Sequence, residues 1–518
     1  MNYLYGASVQ GIQDFIFQTK SLAEIVGASE LVEEICTTRF VKLIRPEYSS
    51  SYHAARQFLK DDPNAVLNAA GNIKYVFGSK TDCERVVRAF PRMISEFAPG
   101  ITISQAVVEI KDGVPFEDVV STLEERLKVQ RNRPSRSAVL GLMGIQRSRQ
   151  TGLPVVSSGD GLYLDKATTA KLYTSEGGVR RKMTTYNLCR KAFGVKELDE
   201  KKVAFNIGDI TSSNDWIAVI HADGNGLGNV VHKVGHSYKD FKDFSCKLDE
   251  ATINAAVKAY QCLDVNKDKV IPVRPIVLGG DDLTVICRGD LALRYTAEFI
   301  KEFEKETERL LGGILSKHGV YTEGAVRNRL TACAGIAFIK SSFPFHYGYS
   351  LAEELCKAAK TDAKSDISVR QGHALPQSCI MFHKVQGSYT GSYDEIVRRE
   401  LFPQKKLSFC FGPYYLAPEK NRWTIDELIQ YSKLLSQDRY KAVRSRIRNW
   451  MTLVFENVEM ANQDLDRIKS INVGLCRDIE KITGWTERSL NSETLSCCPA
   501  YDVLAVNTIN TLVTTQKR

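Results

Sequence analysis

Asp281 and Asp282 stand side by side behind Gly279 and Gly280 in RPIVLGGDDLTVIC, a stretch otherwise apolar enough to be a buried sheet. Adjacent carboxylates repel, and burying them is costly unless a cation or a donor compensates. A third acid, Asp223, closes another apolar run, DWIAVIHAD, and glycines follow it in DGNGLGN. Carboxylates gathered without histidine or cysteine are hard oxygen ligands, suited to Mg2+ or Mn2+. Two such ions about 3.5–4 Å apart can activate a hydroxyl and stabilise a leaving pyrophosphate. Asp223, Asp281 and Asp282 are therefore the expected catalytic and metal-binding residues, holding two ions. Gly224, Asn225, Gly226, Leu227 and Gly228, with Gly279 and Gly280, are the expected cradle for a triphosphate, because glycines let backbone N–H groups approach it at a helix start. Lys360 and Lys364, four apart on an expected helix, share a face from which a point charge could reach the phosphates.

Other groups offer less. His221 lies two residues before Asp223 and so on the same strand face, and it reads as a packing residue, as does His383. With eight histidines and no Ser-His-Asp or Cys-His grouping, there is little material for a hydrolytic nuclease.

The elements that must position the acids occur twice. From about residue 206 the order is strand, glycine turn, helix, strand pair around Gly279–Asp282, long helix, strand and helix. The first 130 residues run in the same order, with the strand pair in AVLNAAGNIKYVFG. This is an α+β plan with split βαβ units, the ferredoxin-like or palm arrangement, in tandem. Superposing the copies sets Ala70, Gly71 and Asn72 opposite Gly280, Asp281 and Asp282, and Gln10 opposite Asp223. The first copy thus has the scaffold without the acids, so the acids are not needed to form the hairpin. The expected division is a degenerate first palm over 1–130, a linker over 131–205, the acid-bearing palm over 206–394, and a C-terminal helical domain over 395–518. A capping box, Thr424 to Glu427, opens the helices of the last segment.

Bulk properties bound the rest. At 43% hydrophobic and 25% charged residues, the chain has the composition of a folded globular protein. The sequence begins without a signal-peptide pattern and holds no run of about 18 apolar residues, so no membrane association is expected. Thirteen cysteines without a CxxC pair give no zinc ribbon and no even disulfide framework, which fits a reducing cytoplasm. A net charge of +9 permits a polyanionic ligand without requiring one. Two basic clusters, one from Arg126 through Lys128, Arg131, Arg133 and Arg136 to Arg149, the other from Arg439 to Arg448, read as solvated faces.

The motifs HADGNGLG, VLGGDDLTVI, GIAFIKSSFPFHYGYSLAEELCKAAK and CIMFHKVQGS resemble the active palm of the large, polymerase-like subunit of type III CRISPR effector complexes. That family is related to GGDEF diguanylate cyclases and class III adenylate cyclases. SVQGIQDFIFQTKSLAEIVGASELV and AAGNIKYVFG resemble its degenerate first palm, and FGPYYLAPEKNRWTIDELIQY resembles the start of its C-terminal helical domain. The resemblance implies polymerisation of ATP, or another nucleoside triphosphate, to a cyclic oligoadenylate signal in antiviral defence. It implies Asp223, Asp281 and Asp282 as metal ligands, and Lys360 or Lys364 as phosphate contacts. Two parts of the family pattern are expected to be missing: an HD nuclease domain before the first palm and a cysteine zinc-binding insertion between the palms. A stand-alone or small-operon defence cyclase is therefore expected at least as much as a subunit bound to RNA and other effector proteins. A non-enzymatic palm scaffold, a cyclase making a cyclic di- or mononucleotide, and a homodimer stay open as alternatives.

Overall fold

The computed structural model describes residues 2–19, 21–69, 71–132, 143–159, 162–176, 179–182, 186–211, 215–235, 237–263, 265, 268–321, 328–365, 367–387, 391–404, 406–419, 421–490 and 493–516. The first repeat contains β1 (Asn2–Gln10), α1 (Ile12–Phe17), α2 (Leu22–Glu34), β2 (Ala65–Ala69), β3 (Asn72–Phe77), α3 (Lys80–Phe97), β4 (Thr102–Ile110) and α4 (Phe116–Arg131). Its sheet has the order β2-β3-β1-β4, all antiparallel. After two short hairpins comes the connector helix α5 (Asn187–Phe193).

The second repeat contains β5 (Trp216–Gly224), α6 (Leu227–Val234), α7 (Tyr238–Gln261), β6 (Val273–Gly279), β7 (Asp282–Arg288), α8 (Gly289–Lys317), β8 (Ala332–Lys340) and α9 (Phe345–Ala363). Its first four strands take the same order, β6-β7-β5-β8. Two further strands, β9 (Cys379–Lys384) and β10 (Tyr414–Tyr415), extend that sheet past β8. The chain is thus α+β throughout, as the sequence implies.

The two sheets agree to the residue. Each edge strand carries a bulge at the same place, between Ala65 and Leu67 in β2 and between Pro275 and Val277 in β6. Ala69 faces Asn72 across one turn and Gly279 faces Asp282 across the other, so Gly71 and Asn72 do lie at the positions of Asp281 and Asp282. Ala70 is outside the described residues, as are Arg133 and Arg136 of the first basic cluster.

One expected equivalence is corrected. Ala7 faces Ile73 as Ala222 faces Leu283, so Ser8, and not Gln10, takes the position of Asp223. The reason lies in the turn that follows. Gly11 (φ 65°) and Gly226 (φ 71°) both precede a helix in the left-handed conformation, and that shared turn fixes the frame. Gln10 then corresponds to Asn225.

Burial explains why the second sheet holds its shape. Successive residues of β5 and β8 are nearly all buried, which means both faces of the central strands are covered. The two breaks in β5 are His221 and Asp223, on one face. Helix α9 covers β8 with Phe345, Tyr349, Ala352, Leu355, Cys356 and Ala359, at the three-and-four spacing of a helical stripe. The expected capping box is present, with the Thr424 and Glu427 side chains each meeting the other's backbone N–H. The C-terminal part is mostly helical, but it also contains a three-stranded sheet of Leu407–Ser408, Thr486–Leu490 and Glu493–Cys497. All thirteen cysteines are free thiols. No helix among the described residues is long and apolar enough to cross a membrane.

Candidate metal and nucleotide site

Three acids converge at the end of the second sheet. Antiparallel pairing of β5 with β7 brings Leu283 opposite Ala222, and one residue further on it leaves Asp282 beside Asp223. Asp281 projects from the turn between β6 and β7. The three side chains offer oxygens that all lie within 4.8 Å of one another. Gly224 makes this closeness feasible, because a Cβ there would sit 2.9 Å from Asp281 Cβ. That glycine serves the acid, and its backbone is not left open to a ligand.

The electrostatics are those of a cation site. Burial and the neighbouring Asp223 push Asp281 up to about 7. Burial, then Asp281 and Asp223, raise Asp282 well above the ordinary range. Asp223 moves the other way. Burial opposes its ionisation, but the Lys360 ammonium and the hydrogen bonds around it outweigh burial and hold it low. Lys360, reaching over from α9, ion-pairs with Asp223 and donates to the Gly224 carbonyl at 2.8 Å. Its ammonium stands where positive charge is most needed, and an all-carboxylate oxygen set of this compactness fits Mg2+ or Mn2+.

The sister site lacks this charge. Ser8 Oγ donates to Asn72 Oδ1 at 2.9 Å, a neutral pair in place of Asp223 and Asp282. Gly71 has φ 82°, and a Cβ there would stand 2.3 Å from Ile12 Cδ1, so the backbone of that turn disfavours a counterpart of Asp281.

The remaining expected residues separate into groups. Gly226 caps α6 and Gly228 is exposed, with open space where a Cβ would stand, so the start of α6 is accessible. Leu227 is half-buried beside them. Asn225 is fully buried, and its amide donates to Thr331 Oγ1 at 3.1 Å and to Cys333 Sγ at 3.3 Å, away from any phosphate. Gly279 ends β6, and Gly280 forms the turn with φ 62°. Lys364 is not brought in: the helix ends at Ala363, the lysine one turn past Lys360 is exposed, and Lys360 is the lysine that acts on the trio.

Several contributors carry no sequence signal. The Tyr321 hydroxyl lies over Gly226, 2.7 Å from where a Cβ would be, and meets no hydrogen-bond partner among the described residues. A cavity of about 120 Å³ adjoins Asp282 and is lined from both repeats, by Gln13, Ser29 and Glu33 on one side and His221, Thr284 and Tyr349 on the other. Gln13 donates to the Tyr349 hydroxyl at 2.7 Å, and Phe17 stacks on the same ring at 4.3 Å. His221 Nδ1 lies 3.2 Å from Thr284 Oγ1, and burial, partly offset by Asp223, lowers it to about 4. His383 is buried with its Nε2 3.6 Å from Glu400.

Comparison with known proteins now has a geometry to meet. The family model of the Cas10/Cmr2 second palm domain matches residues 216–368, a span that contains the acid trio, the glycine turn and Lys360. Over that span the chain is similar to the Cas10/Cmr2 second palm domain. Solved structures agree at the level of fold. A Csm1–Csm4 cassette in complex with cA4 matches at 12% identity and TM-score 0.56, over 99% of this chain and 69% of that one. A cassette with pppApApA matches at 14% and 0.55, over 99% and 69%. The Csm1–Csm4 subcomplex of the type III-A CRISPR-Csm interference complex matches at 14% and 0.53, again over 99% and 69%. No curated protein matches the sequence. The likeness of fold extends beyond the matched palm, since these structures cover 99% of this chain.

Proposed function

We propose that the second repeat is a metal-dependent nucleotidyltransferase that joins ATP into a cyclic oligoadenylate-type product and releases pyrophosphate. The observation that carries this reading is the asymmetry between the repeats. Two sheets share order, register and bulge, yet only one gathers three carboxylates, where the other has Ser8, Gly71 and Asn72. Structures similar in fold are described as bound to cA4, pppApA and pppApApA, which supports adenylate chemistry.

Asp223, Asp281 and Asp282 would hold the two ions. Divalent cations, when bound, lower the pKa of a ribose hydroxyl and offset phosphate charge. The chain's own residues do the rest. The backbone at the start of α6 receives phosphate oxygens beside Gly226 and Gly228. Lys360 supplies a fixed positive charge at the edge of the trio. His221, lowered to about 4, is neutral at physiological pH and acts as a hydrogen-bonding wall, with no proton to give. The first repeat closes the site from the far side through Gln13 and Phe17. ATP and a second effector subunit, of the kind paired in the Csm1–Csm4 cassettes, are the proposed partners. Nothing in the fold supports a homodimer.

The test is pyrophosphate release from ATP with Mn2+, with mass spectrometry of the product. D281N/D282N is expected to lower release by at least about a thousandfold with an unchanged circular dichroism spectrum. Equal release by the double variant overturns the reading. RNA binding by a parent that releases no pyrophosphate would favour a scaffold instead.

A further inference from the structure

Strand β6, which leads into the acid-bearing turn, is an edge strand: among the described residues its sheet neighbour is β7 alone. The outward carbonyls of such a strand have no ladder partner, and Leu278 is only 2% exposed, so water does not serve there. Lys191, from the connector helix α5, supplies the missing donor. Its Nζ donates to the Leu278 carbonyl at 2.7 Å, and the residue is itself 8% exposed.

A buried ammonium needs counter-charge, and here it comes from both repeats. Glu33 Oε1 of α2 lies 3.5 Å from Lys191 Nζ, and Asp249 Oδ1 of α7 lies 3.9 Å away. Each acid is held in turn. The Tyr52 hydroxyl donates to Glu33 Oε1 at 2.6 Å, and Arg56 lies 3.6 Å from Asp249. Asp249 Oδ1 also accepts the Gly280 N–H at 3.2 Å, and Thr252 Oγ1 donates to the Gly280 carbonyl. Gly280 is therefore gripped at both its N–H and its carbonyl just before Asp281 and Asp282, and Lys191 holds the strand two residues earlier, at Leu278.

We propose that Lys191 is a positioning residue for the acid-bearing turn. Joined to the first repeat through Glu33 and to the second through Asp249, it sets the height at which Asp281 and Asp282 meet Asp223. The proposal builds on the reading of that trio as a metal site. It adds that the connector and the first repeat control the turn, so a shift of either would change how well the trio closes on an ion. Lys191 touches no reacting atom.

The experiment uses the full chain and two readouts, hydrogen–deuterium exchange of peptides covering 278–283 and Mn2+ titration followed by electron paramagnetic resonance. K191M is expected to speed exchange of the turn about tenfold while peptides of β8 keep the parent rate, and to weaken Mn2+ binding about tenfold. K191R, which keeps the charge and a donor, is expected to restore both to within about threefold of the parent. E33Q, which loosens only the tie to the first repeat, is expected to shift both in the same direction to a smaller extent, and it serves also if K191M does not fold. Turn exchange unchanged in K191M and E33Q, or rising equally in β8, overturns the proposal. Mn2+ binding that is equally tight in the parent and in D281N/D282N would overturn the metal-site reading instead, while the exchange data still judge Lys191.

Discussion

Each acid of the trio is set by a different neighbour. Asp223 has the Lys360 ammonium and is held ionised, whereas burial and Asp223 raise Asp281, and burial and then Asp281 raise Asp282. The sign of the resulting pH dependence follows from linkage. Asp281 binds its proton more tightly folded than unfolded, so metal-free protein loses stability as pH rises from about 4 through about 7. At pH 8 without divalent ions, D281N/D282N should therefore melt about 2–4 °C above the parent, and the gap should close towards pH 5. Mn2+ should raise the parent's melting temperature and leave the double variant's unchanged. At this scale the sequence was most informative where it broke its own pattern. Two adjacent acids inside an apolar run are costly to bury unless a cation or a donor stands beside them. Asn225 was misleading because a glycine-rich stretch reads as an open loop, while its amide is packed against Thr331 and Cys333. Lys364 shared a helical face with Lys360, but periodicity does not say which turn reaches the strand ends.

Among the elements, the pair β8–α9 matters most because it carries Lys360 to Asp223. The two touch at Gly335, where a Cβ would lie 1.9 Å from the Ala352 carbonyl oxygen and 2.5 Å from Cys356 N. Both are backbone atoms, so the helix and not a side chain would have to move. G335A should cost about 2–3 kcal/mol, seen as a lower urea midpoint, and should weaken Mn2+ binding by shifting β8, which pairs with β5 at Asp223. Strand and helix order were readable because short apolar runs alternate with longer stretches of helical apolar period in both repeats. The frame of β1 against β5 was not, since Ser8 and Gln10 are equally neutral and only the left-handed turns at Gly11 and Gly226 distinguish them. Strand β10 is two residues long and joins its sheet from far along the chain, a contact no local pattern announces.

In the whole molecule, the two repeats meet where Phe17 of the first stacks on Tyr349 of the second. Phe17 is buried, and F17A should lower stability by about 3–5 kcal/mol, measured by thermal melting, and should disturb the second repeat's site although it lies in the first. Contacts of this kind join residues more than 300 positions apart, as do Gln13 and Tyr349. Sequence reading showed that there were two palms but could not orient them, because each surface residue taken alone is compatible with solvent.

That junction has a consequence for dilution. A site walled by two separate subunits comes apart when their concentration falls below the dissociation constant, and its specific activity falls with it. Here the two walls share one polypeptide, so their effective concentration is set by the connector and is independent of how many molecules a cell holds. Closure of the wall between the two repeats should therefore not change with dilution.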